Sequence, residues 1–218
     1  MHVKICCLQS IAEAQMAVVA GASLLGLVGA MPSGPGPISD GAIAEIAGWS
    51  PPGVSSVLLS SETTADGLIA HVARCHPQVL QLVDTPEPGA LTALRAAYPA
   101  LKLMQVVHVE GAEAIDQMRA IERDVDAILL DSGRPAAAVK ELGGTGRVHD
   151  WAVSAQIVQA ARIPVFLAGG LRPDNVAEAI RQVRPFGLDL CTGVRTDGAL
   201  DQAKLSAFFR AINGAIGG

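Results

Sequence analysis

Residues 54–75 read VSSVLLSSETTADGLIAHVARC, and they contain one complete unit of the repeat that decides the fold. The unit begins with a short apolar run, 54–60, and continues into an amphipathic segment, 63–75, with apolar residues at intervals of three and four. A short continuous apolar run is typical of a strand buried on both faces, as in a parallel sheet. The spacing of the second segment predicts a helix with one apolar face.

The same unit occurs eight times along the chain. The predicted strands are 2–7, 23–29, 54–60, 79–83, 102–109, 127–131, 164–170 and 186–193. The predicted helices are 11–22, 40–49, 63–75, 88–98, 112–123, 150–161, 173–183 and 201–212. Ser39 with Asp40, Thr63 with Thr64, and Asp201 fit helix caps or first turns, and Pro173 fits a first helical position.

Eight alternating units in 218 residues predict one domain, 1–218, folded as a (β/α)8 TIM barrel. The main alternative is a doubly wound open sheet, which would need fewer strands and a glycine fingerprint after the first one. The first run ends in Cys6, Cys7, Leu8 and Gln9, without any glycine. In a barrel, the residues that carry chemistry lie at the C-terminal ends of the strands.

Composition narrows the class of protein. The longest apolar stretches are interrupted before the roughly 18 residues that a membrane span needs, so we expect no membrane insertion. The net charge is −5 and no stripe of Lys and Arg is present, which argues against nucleic acid as a partner. Glu13 interrupts the N-terminal segment before it resembles a secretory signal, and a cytoplasmic location is therefore expected. A small molecule is the expected ligand.

The four cysteines are Cys6, Cys7, Cys75 and Cys191, and no pair has CxxC spacing. Cys6 and Cys7 are adjacent in a predicted strand, so their side chains are expected to point to opposite faces and to make a poor chelate. We expect reduced thiols, with Cys191 in the core. The pattern predicts no structural zinc or other metal site, and no organic cofactor is indicated.

Glycine-rich segments follow or end the last predicted strands. Bare backbone N–H groups there can approach a ligand closely, and a neighbouring helix N-terminus favours an anion. In barrels, the loops after strands seven and eight usually form a phosphate site. The segments are 143–146 (GGTG), 167–170 (LAGG) and 191–193 (CTG). They predict a phosphorylated small-molecule substrate.

Several motifs, in order, match one known family. They are Lys4-Ile5-Cys6, Ile128-Leu129-Leu130-Asp131, 143–146 followed by Asp150-Trp151, 167–171 followed by Pro173 and Asn175-Val176, and Arg184-Pro185-Phe186 followed by Asp189 and Gly193-Val194. On these residues the chain resembles the phosphoribosylanthranilate isomerases, barrel enzymes of tryptophan biosynthesis. The resemblance extends over the whole chain and is strongest from residue 126 onward.

The resemblance implies an Amadori rearrangement of N-(5-phosphoribosyl)anthranilate to the aminodeoxyribulose phosphate, without a cofactor. On the family pattern, Asp131 is the general acid that protonates the ring oxygen, and Cys6 is the base that removes the proton from C2. The implied phosphate ligands are Gly144, Gly169, Gly170, Thr192 and Gly193. Further candidates for substrate contacts are Lys4, His108, Asp189 and Arg195. The family includes monomers and dimers, so either state is expected.

The chain departs from the family pattern mainly in the segments predicted to hold the anthranilate group, with one further change after the eighth strand. The loop 31–37 reads MPSGPGP and has no basic residue where the family has an Arg that holds the anthranilate carboxylate. Cys7 replaces a glycine, 81–84 reads QLVD in place of Gln-Leu-His-Gly, and Arg195 replaces a glutamate. Arg195 or His108 are the residues available to replace the missing contact.

Three hypotheses follow. The protein is a phosphoribosylanthranilate isomerase with an altered carboxylate contact, a related isomerase or lyase for another phosphorylated metabolite, or a barrel that binds such a metabolite without turnover. Each residue also has a structural interpretation: Cys6 as packing, Asp131 as a loop hydrogen-bonding group, and His108 as a loop cap. His149, which replaces an aromatic residue of the family, is interpreted as packing.

Overall fold

Eight short parallel strands form a closed barrel in the computed structural model, which describes residues 1–32, 34–132 and 150–217. The strands are β1 (His2–Ile5), β2 (Leu24–Val28), β3 (Ser55–Ser60), β4 (Val79–Leu82), β5 (Lys102–His108), β6 (Ala127–Asp131), β7 (Val165–Leu167) and β8 (Gly187–Leu190). Each strand pairs with the next, and β1 pairs with β8, with Lys4 opposite Asp189. The predicted (β/α)8 TIM barrel is confirmed.

Helices follow the strands and surround the barrel. They are α1 (Ile11–Ala20), α2 (Asp40–Trp49), α3 (Ala65–Cys75), α4 (Ala90–Ala97), α5 (Ala114–Ile121), α6 (Trp151–Ala160), α7 (Val176–Val183) and α8 (Gln202–Ile216). Between β8 and α8 the chain forms a 3-10 turn, Thr192–Val194, and a small antiparallel hairpin of β9 (Arg195–Thr196) and β10 (Ala199–Leu200). Within the ranges given above, no helix has the length and apolar character needed to cross a bilayer.

The helix caps predicted from sequence are confirmed at three positions. The side chains of Ser39, Thr64 and Asp201 accept hydrogen bonds from backbone N–H groups in the first turns of α2, α3 and α8. Such caps satisfy donors that have no partner within the helix.

Several predicted boundaries are wrong by two or more residues, and two of them lie beside the glycine-rich segments. Pro173 does not begin α7, because the Asn175 side chain accepts from the Arg172 N–H at 2.8 Å and donates to the Gly170 carbonyl at 2.9 Å. These bonds hold residues 173–175 as a turn before the helix. The strand predicted over 186–193 ends at Leu190, where the chain turns into the 3-10 segment.

The core has two layers. Alternate strand residues point outward and pack against the helices, as Leu25, Leu58 and Leu80 do. The other residues fill the lumen, where Leu129 and Phe166 are buried. Polar side chains on the same inward face therefore lie inside the barrel, and those near the C-terminal strand ends line an open pocket.

Candidate active site

One pocket lies at the C-terminal ends of the strands and brings together residues from both ends of the chain. Seven of the candidate residues line it: Cys6, Asp131, Gly169, Gly170, Asp189, Thr192 and Gly193. Cys7, Met31, Gly34, Pro35, Gln81, Leu171 and Cys191 also line it. The pocket thus forms where the barrel prediction placed it. Two further parts of the predicted site lie outside the described residues: the segment 143–146, which includes Gly144, and His149.

Cys6 is held at the mouth of the lumen just beyond β1. Its N–H donates to the Leu190 carbonyl at 2.8 Å, which extends the β1–β8 pairing by one residue. The side chain is buried, and burial disfavours a thiolate. A hydrogen bond from the Cys7 thiol, helped by the positive charge of Lys4, nevertheless lowers the pKa of Cys6 below its ordinary value. The surroundings of this thiol therefore favour its anionic form.

Lys4 lies below Cys6 on the same inward face of β1 and is fully buried. Burial opposes the charged ammonium, but the negative charge of Asp189 outweighs it and raises the pKa of Lys4. Lys4 Nζ lies 3.0 Å from Asp189 Oδ1. Neither atom has a hydrogen-bond partner among the described residues, so the contact is an ion pair without good hydrogen-bond alignment. Lys4 does not reach the pocket surface, whereas Asp189 does.

Cys7 does not point away from Cys6, and the sequence-based expectation that it would is wrong. Its backbone is left-handed, with φ of 63°, so the chain has already left the strand at this residue. Hydrogen bonding with the thiols of Cys191 and Cys6 raises the pKa of the Cys7 thiol. Gly36 lies against it, because a Cβ atom at Gly36 would come within 2.5 Å of the Cys7 Cβ. Cys191 is half-buried and lines the pocket, so its assignment to the core is also wrong.

Asp131 ends β6 and faces the pocket from the other side of the lumen. Its carboxyl group is 8% exposed, and this burial, with a smaller contribution from the charge of Asp189, raises its pKa to about 6. The Ser132 N–H donates to Asp131 Oδ1 at 2.7 Å and limits the rise. A carboxyl group in this environment stays protonated to a higher pH than an exposed one.

The loops after β7 and β8 meet across a very small gap. Gly169 and Gly170 have φ of 81° and 64°, a backbone conformation that residues with a Cβ rarely adopt. A Cβ atom at Gly193 would overlap the Leu171 carbonyl oxygen. The close approach of the two loops therefore depends on glycine at these positions, and it leaves bare backbone on the pocket wall.

His108 and Arg195 are not among the residues that line this pocket. His108 ends β5 and lines a separate depression with Val83 and Asp84, where burial lowers its pKa. The Arg195 guanidinium contacts Glu13 Oε2 at 3.0 Å and donates to the Cys7 carbonyl at 2.6 Å. These contacts occupy the guanidinium, and Arg195 is not among the residues that line the pocket, so its contact with the substrate stays a prediction.

Gln81 is a pocket residue that sequence reasoning did not select. It lies in β4 between Val79 and Val83, on the inward face, and it is buried. Its Oε1 atom has no hydrogen-bond partner within the described part of the chain. The signal was a single polar residue in an otherwise apolar strand, at the parity that points into the lumen.

The side of the pocket formed by β1, β4 and the loop after β2 is apolar apart from its thiols and Gln81. The loop after β2 contributes Met31, Gly34 and Pro35 to the pocket lining, and none of the three is basic. Among the lining residues that the structure describes, there is no Lys or Arg. A carboxylate bound on this side would lack a charged partner from these residues.

Known proteins match this chain over nearly all its length. The sequence profile of the N-(5'-phosphoribosyl)anthranilate (PRA) isomerase family matches residues 3–211. The N-(5'-phosphoribosyl)anthranilate isomerase of Methanocella arvoryzae is 34% identical over 196 residues, 90% of each chain. That of Thermosynechococcus vestitus is 35% identical over 212 residues, which cover 94% of this chain and 86% of the other.

A solved structure is also similar over nearly the whole length of both chains. The phosphoribosyl anthranilate isomerase of Thermococcus kodakaraensis superposes with a TM-score of 0.81 at 29% identity, covering 97% of this chain and 98% of that one. The profile, the relatives and the pocket at the strand ends agree with one another. The chain belongs to the N-(5'-phosphoribosyl)anthranilate isomerase family.

Proposed function

We propose that this pocket catalyses the Amadori rearrangement of N-(5-phosphoribosyl)anthranilate, with Asp131 as general acid and Cys6 as general base. One observation carries the assignment of roles. Both groups line one pocket from opposite sides of the lumen, and their surroundings shift their pKa values in opposite directions, upward for Asp131 and downward for Cys6. Both shifts bring the group closer to neutral pH, where a general acid and a general base work best, and so support these two roles.

The two groups act in sequence. Asp131 donates its proton to the furanose ring oxygen as the bond from that oxygen to C1 breaks, which leaves an open-chain iminium. The Cys6 thiolate removes the proton from C2, and the electron pair moves to the C1–C2 bond and neutralises the iminium nitrogen. Tautomerisation of the resulting enolamine gives the aminoketose. Substrate and product are isomers, so no redox partner is consumed.

Lys4 is proposed as a positioning residue in this scheme. It cannot touch the substrate, because it is fully buried below Cys6. Its charge favours the Cys6 thiolate, while its ion pair with Asp189 keeps that charge in place. A fixed buried cation acts strongly on a nearby group because little water screens it.

The phosphate group is proposed to bind at Gly169, Gly170, Thr192 and Gly193. The support is the bare backbone that glycine leaves at the meeting point of the last two loops, close to the start of α7. Backbone N–H groups near a helix N-terminus favour a phosphate. Gly144 would contribute from the loop after β6, as the family pattern implies.

A related isomerase for another phosphorylated amine is the second candidate. The observation that favours it is the apolar β1–β4 side, which offers no cation for the anthranilate carboxylate among its described residues. A charge-assisted hydrogen bond contributes about 1.5–3 kcal/mol, so its loss weakens binding by roughly ten to a hundred times. Such a loss raises KM and does not remove the acid or the base.

The test is turnover of N-(5-phosphoribosyl)anthranilate by the purified protein, followed by the loss of substrate fluorescence. We expect Cys6→Ser and Asp131→Asn each to lower kcat by about 10²–10⁴ times, the range of general acid–base catalysis. No turnover by the wild-type protein would favour the second candidate. Turnover that survives either substitution would remove that residue from the mechanism.

A matched control separates chemistry from the loss of a carboxylate in general. Asp116→Asn removes an exposed carboxylate on α5. This variant is expected to keep kcat within a factor of about two, because surface changes rarely alter the active site.

A further inference from the structure

A second cluster of chemically active side chains lies outside the pocket, between β3 and the helices α2 and α3. It consists of Asp40, His71 and Cys75, and one side-chain atom of each lies within 4.8 Å of the others. His71 and Cys75 are four residues apart on α3 and therefore share one face of that helix. Asp40 begins α2 and places Oδ1 at 3.5 Å from His71 Nε2.

The cluster is enclosed but reachable. His71 is 4% exposed and Cys75 is 0% exposed. The Asp40 side chain is 32% exposed, so it forms the side that faces solvent. An ion could enter past Asp40 and reach the two buried ligands behind it.

Two neighbours orient the imidazole toward this cluster. Ser60 Oγ lies 2.8 Å from His71 Nδ1, and both residues are buried. When Nδ1–H donates to this hydroxyl, the lone pair of Nε2 is free for a metal, as in most metal-binding histidines. Gly29 leaves space for the ring, because a Cβ atom there would lie 2.7 Å from Nε2.

We propose that Asp40, His71 and Cys75 form a zinc site, with water as the fourth ligand. Carboxylate oxygen, imidazole nitrogen and thiolate sulfur are the ligands that zinc prefers. Bonds of about 2.0–2.3 Å in a tetrahedron separate ligand atoms by roughly 3.3–3.7 Å. The 3.5 Å between Asp40 and His71 already fits that geometry. The Cys75 sulfur needs to move by no more than about 1 Å to complete it.

The charges around the cluster allow a divalent cation. Arg74 pairs with Oδ2 of Asp40, which leaves Oδ1 for the metal. The Arg74 side chain is itself exposed and free to move toward solvent. Binding replaces the proton of the Cys75 thiol with the ion, so one proton is released to the medium.

The site differs from the CxxC pattern, whose absence led to the expectation of no structural zinc. Cysteine spacing alone excluded a CxxC site, but this cluster takes one residue of each type from two helices. A bound ion would join α2 to α3 at the side of the barrel that carries the loop after β2. It would act on stability, since no cluster atom lines the catalytic pocket.

The test is metal binding by the full-length protein after chelator treatment and dialysis against Zn²⁺. We expect one zinc per chain, and Tm higher by about 5–10 °C when free zinc is a hundred times its Kd. With Co²⁺ as the probe, a thiolate-to-cobalt charge-transfer band is expected in the near ultraviolet. Cys75→Val is expected to lose the band, the stoichiometric zinc and the rise in Tm.

A second variant controls for the pocket thiols. Cys6→Ser combined with Cys191→Ala is expected to keep the zinc, the cobalt band and the rise in Tm. The proposal is overturned if wild-type protein binds no zinc, if Cys75→Val binds it unchanged, or if the pocket variant loses it. Should Cys75→Val fail to fold, Asp40→Asn tests the same point at the exposed ligand, with at least tenfold weaker zinc binding expected.

Discussion

The two sides of the pocket are built in different ways. The side formed by the ends of β6, β7 and β8 is constrained backbone, with Gly169, Gly170 and Gly193 at positions where a Cβ would be strained or would overlap a neighbour. The side formed by β1, β4 and the loop after β2 is made of side chains such as Met31 and Gln81. Positions where the backbone conformation requires glycine tolerate few substitutions. Positions that contribute only side chains to the pocket can be substituted one at a time.

This difference explains where the chain departs from its family. The side that depends on glycine keeps the family motif, and the side that depends on side chains has lost the expected cation. The proposed acid, Asp131, belongs to the first side, and the proposed base, Cys6, to the second. The reaction therefore requires the two sides to stay in register even though only one of them is constrained by its backbone.

The largest expected effect concerns the ion pair between Arg195 and Glu13. We expect Arg195→Met to destabilise the protein by about 3 kcal/mol, since it leaves the largely buried Glu13 carboxylate without its ion pair. Urea unfolding measures this loss. KM should stay within about twofold, because hydrogen bonds to Glu13 and to the Cys7 carbonyl already occupy Arg195. A large rise in KM with unchanged stability would place Arg195 at the substrate instead.

A second prediction concerns the buried acid. The folded protein raises the pKa of Asp131 to about 6 from an ordinary value near 4, so ionisation costs stability as the pH rises through that window. Below the window the group is neutral in both states, and above it the cost is constant. Asp131→Asn, while abolishing the proposed acid, is expected to raise the free energy of unfolding by up to about 3 kcal/mol at pH 7–8.

The pH dependence identifies the cause of that gain. Denaturation measured at pH 4 should show little difference between Asp131→Asn and wild type, because the carboxyl group is then largely neutral. Equal stabilisation at both pH values would mean that packing, and not ionisation, is responsible.

A smaller effect is expected from adding one methyl group to the constrained side. Gly193→Ala forces the loops after β7 and β8 apart at the Leu171 carbonyl. Overpacking of this kind costs about 1–3 kcal/mol, and we expect kcat/KM to fall by roughly ten to a hundred times, mostly through KM. Gly214→Ala, on the exposed face of α8 where a Cβ meets nothing and φ is not positive, is the matched control for an added methyl. Similar kinetics for the two variants would contradict the phosphate assignment.

The smallest effect tests the other side. Met31→Arg places a cation in the loop after β2, and we expect KM for N-(5-phosphoribosyl)anthranilate to fall by about tenfold with kcat unchanged. Met31→Gln, which is similar in length but neutral, should leave KM near the wild-type value. If Arg and Gln behave alike, the carboxylate is not bound at this side of the pocket.

The fold and the family were largely predictable from the sequence. Buried parallel strands leave continuous apolar runs, and these predicted the barrel that the pairing of β1 with β8 closes. The predicted isomerase family is confirmed by the profile over residues 3–211. Motifs in a fixed order carry this information because most of those within the described residues lie at strand ends.

The remaining features depend on three-dimensional placement. Nothing in the sequence shows that the backbone of Cys7 is left-handed and turns its side chain toward Cys6. Nor does it show that Arg195 pairs with Glu13, 182 residues away along the chain. Gln81 was overlooked because a polar residue in a strand is assigned to the lumen only when its parity is known. The cluster of Asp40, His71 and Cys75 was missed because two separate helices form it.

The pairing of β1 with β8 also has a consequence for how the protein folds during synthesis. Lys4 cannot meet Asp189 until nearly the whole chain has left the ribosome. At about 5–20 residues per second, the first strand waits roughly 10–40 s for its partner. Throughout that time one of its edges is open to other chains. The seam that places Cys6 beside β8 is thus the last part of the barrel able to form.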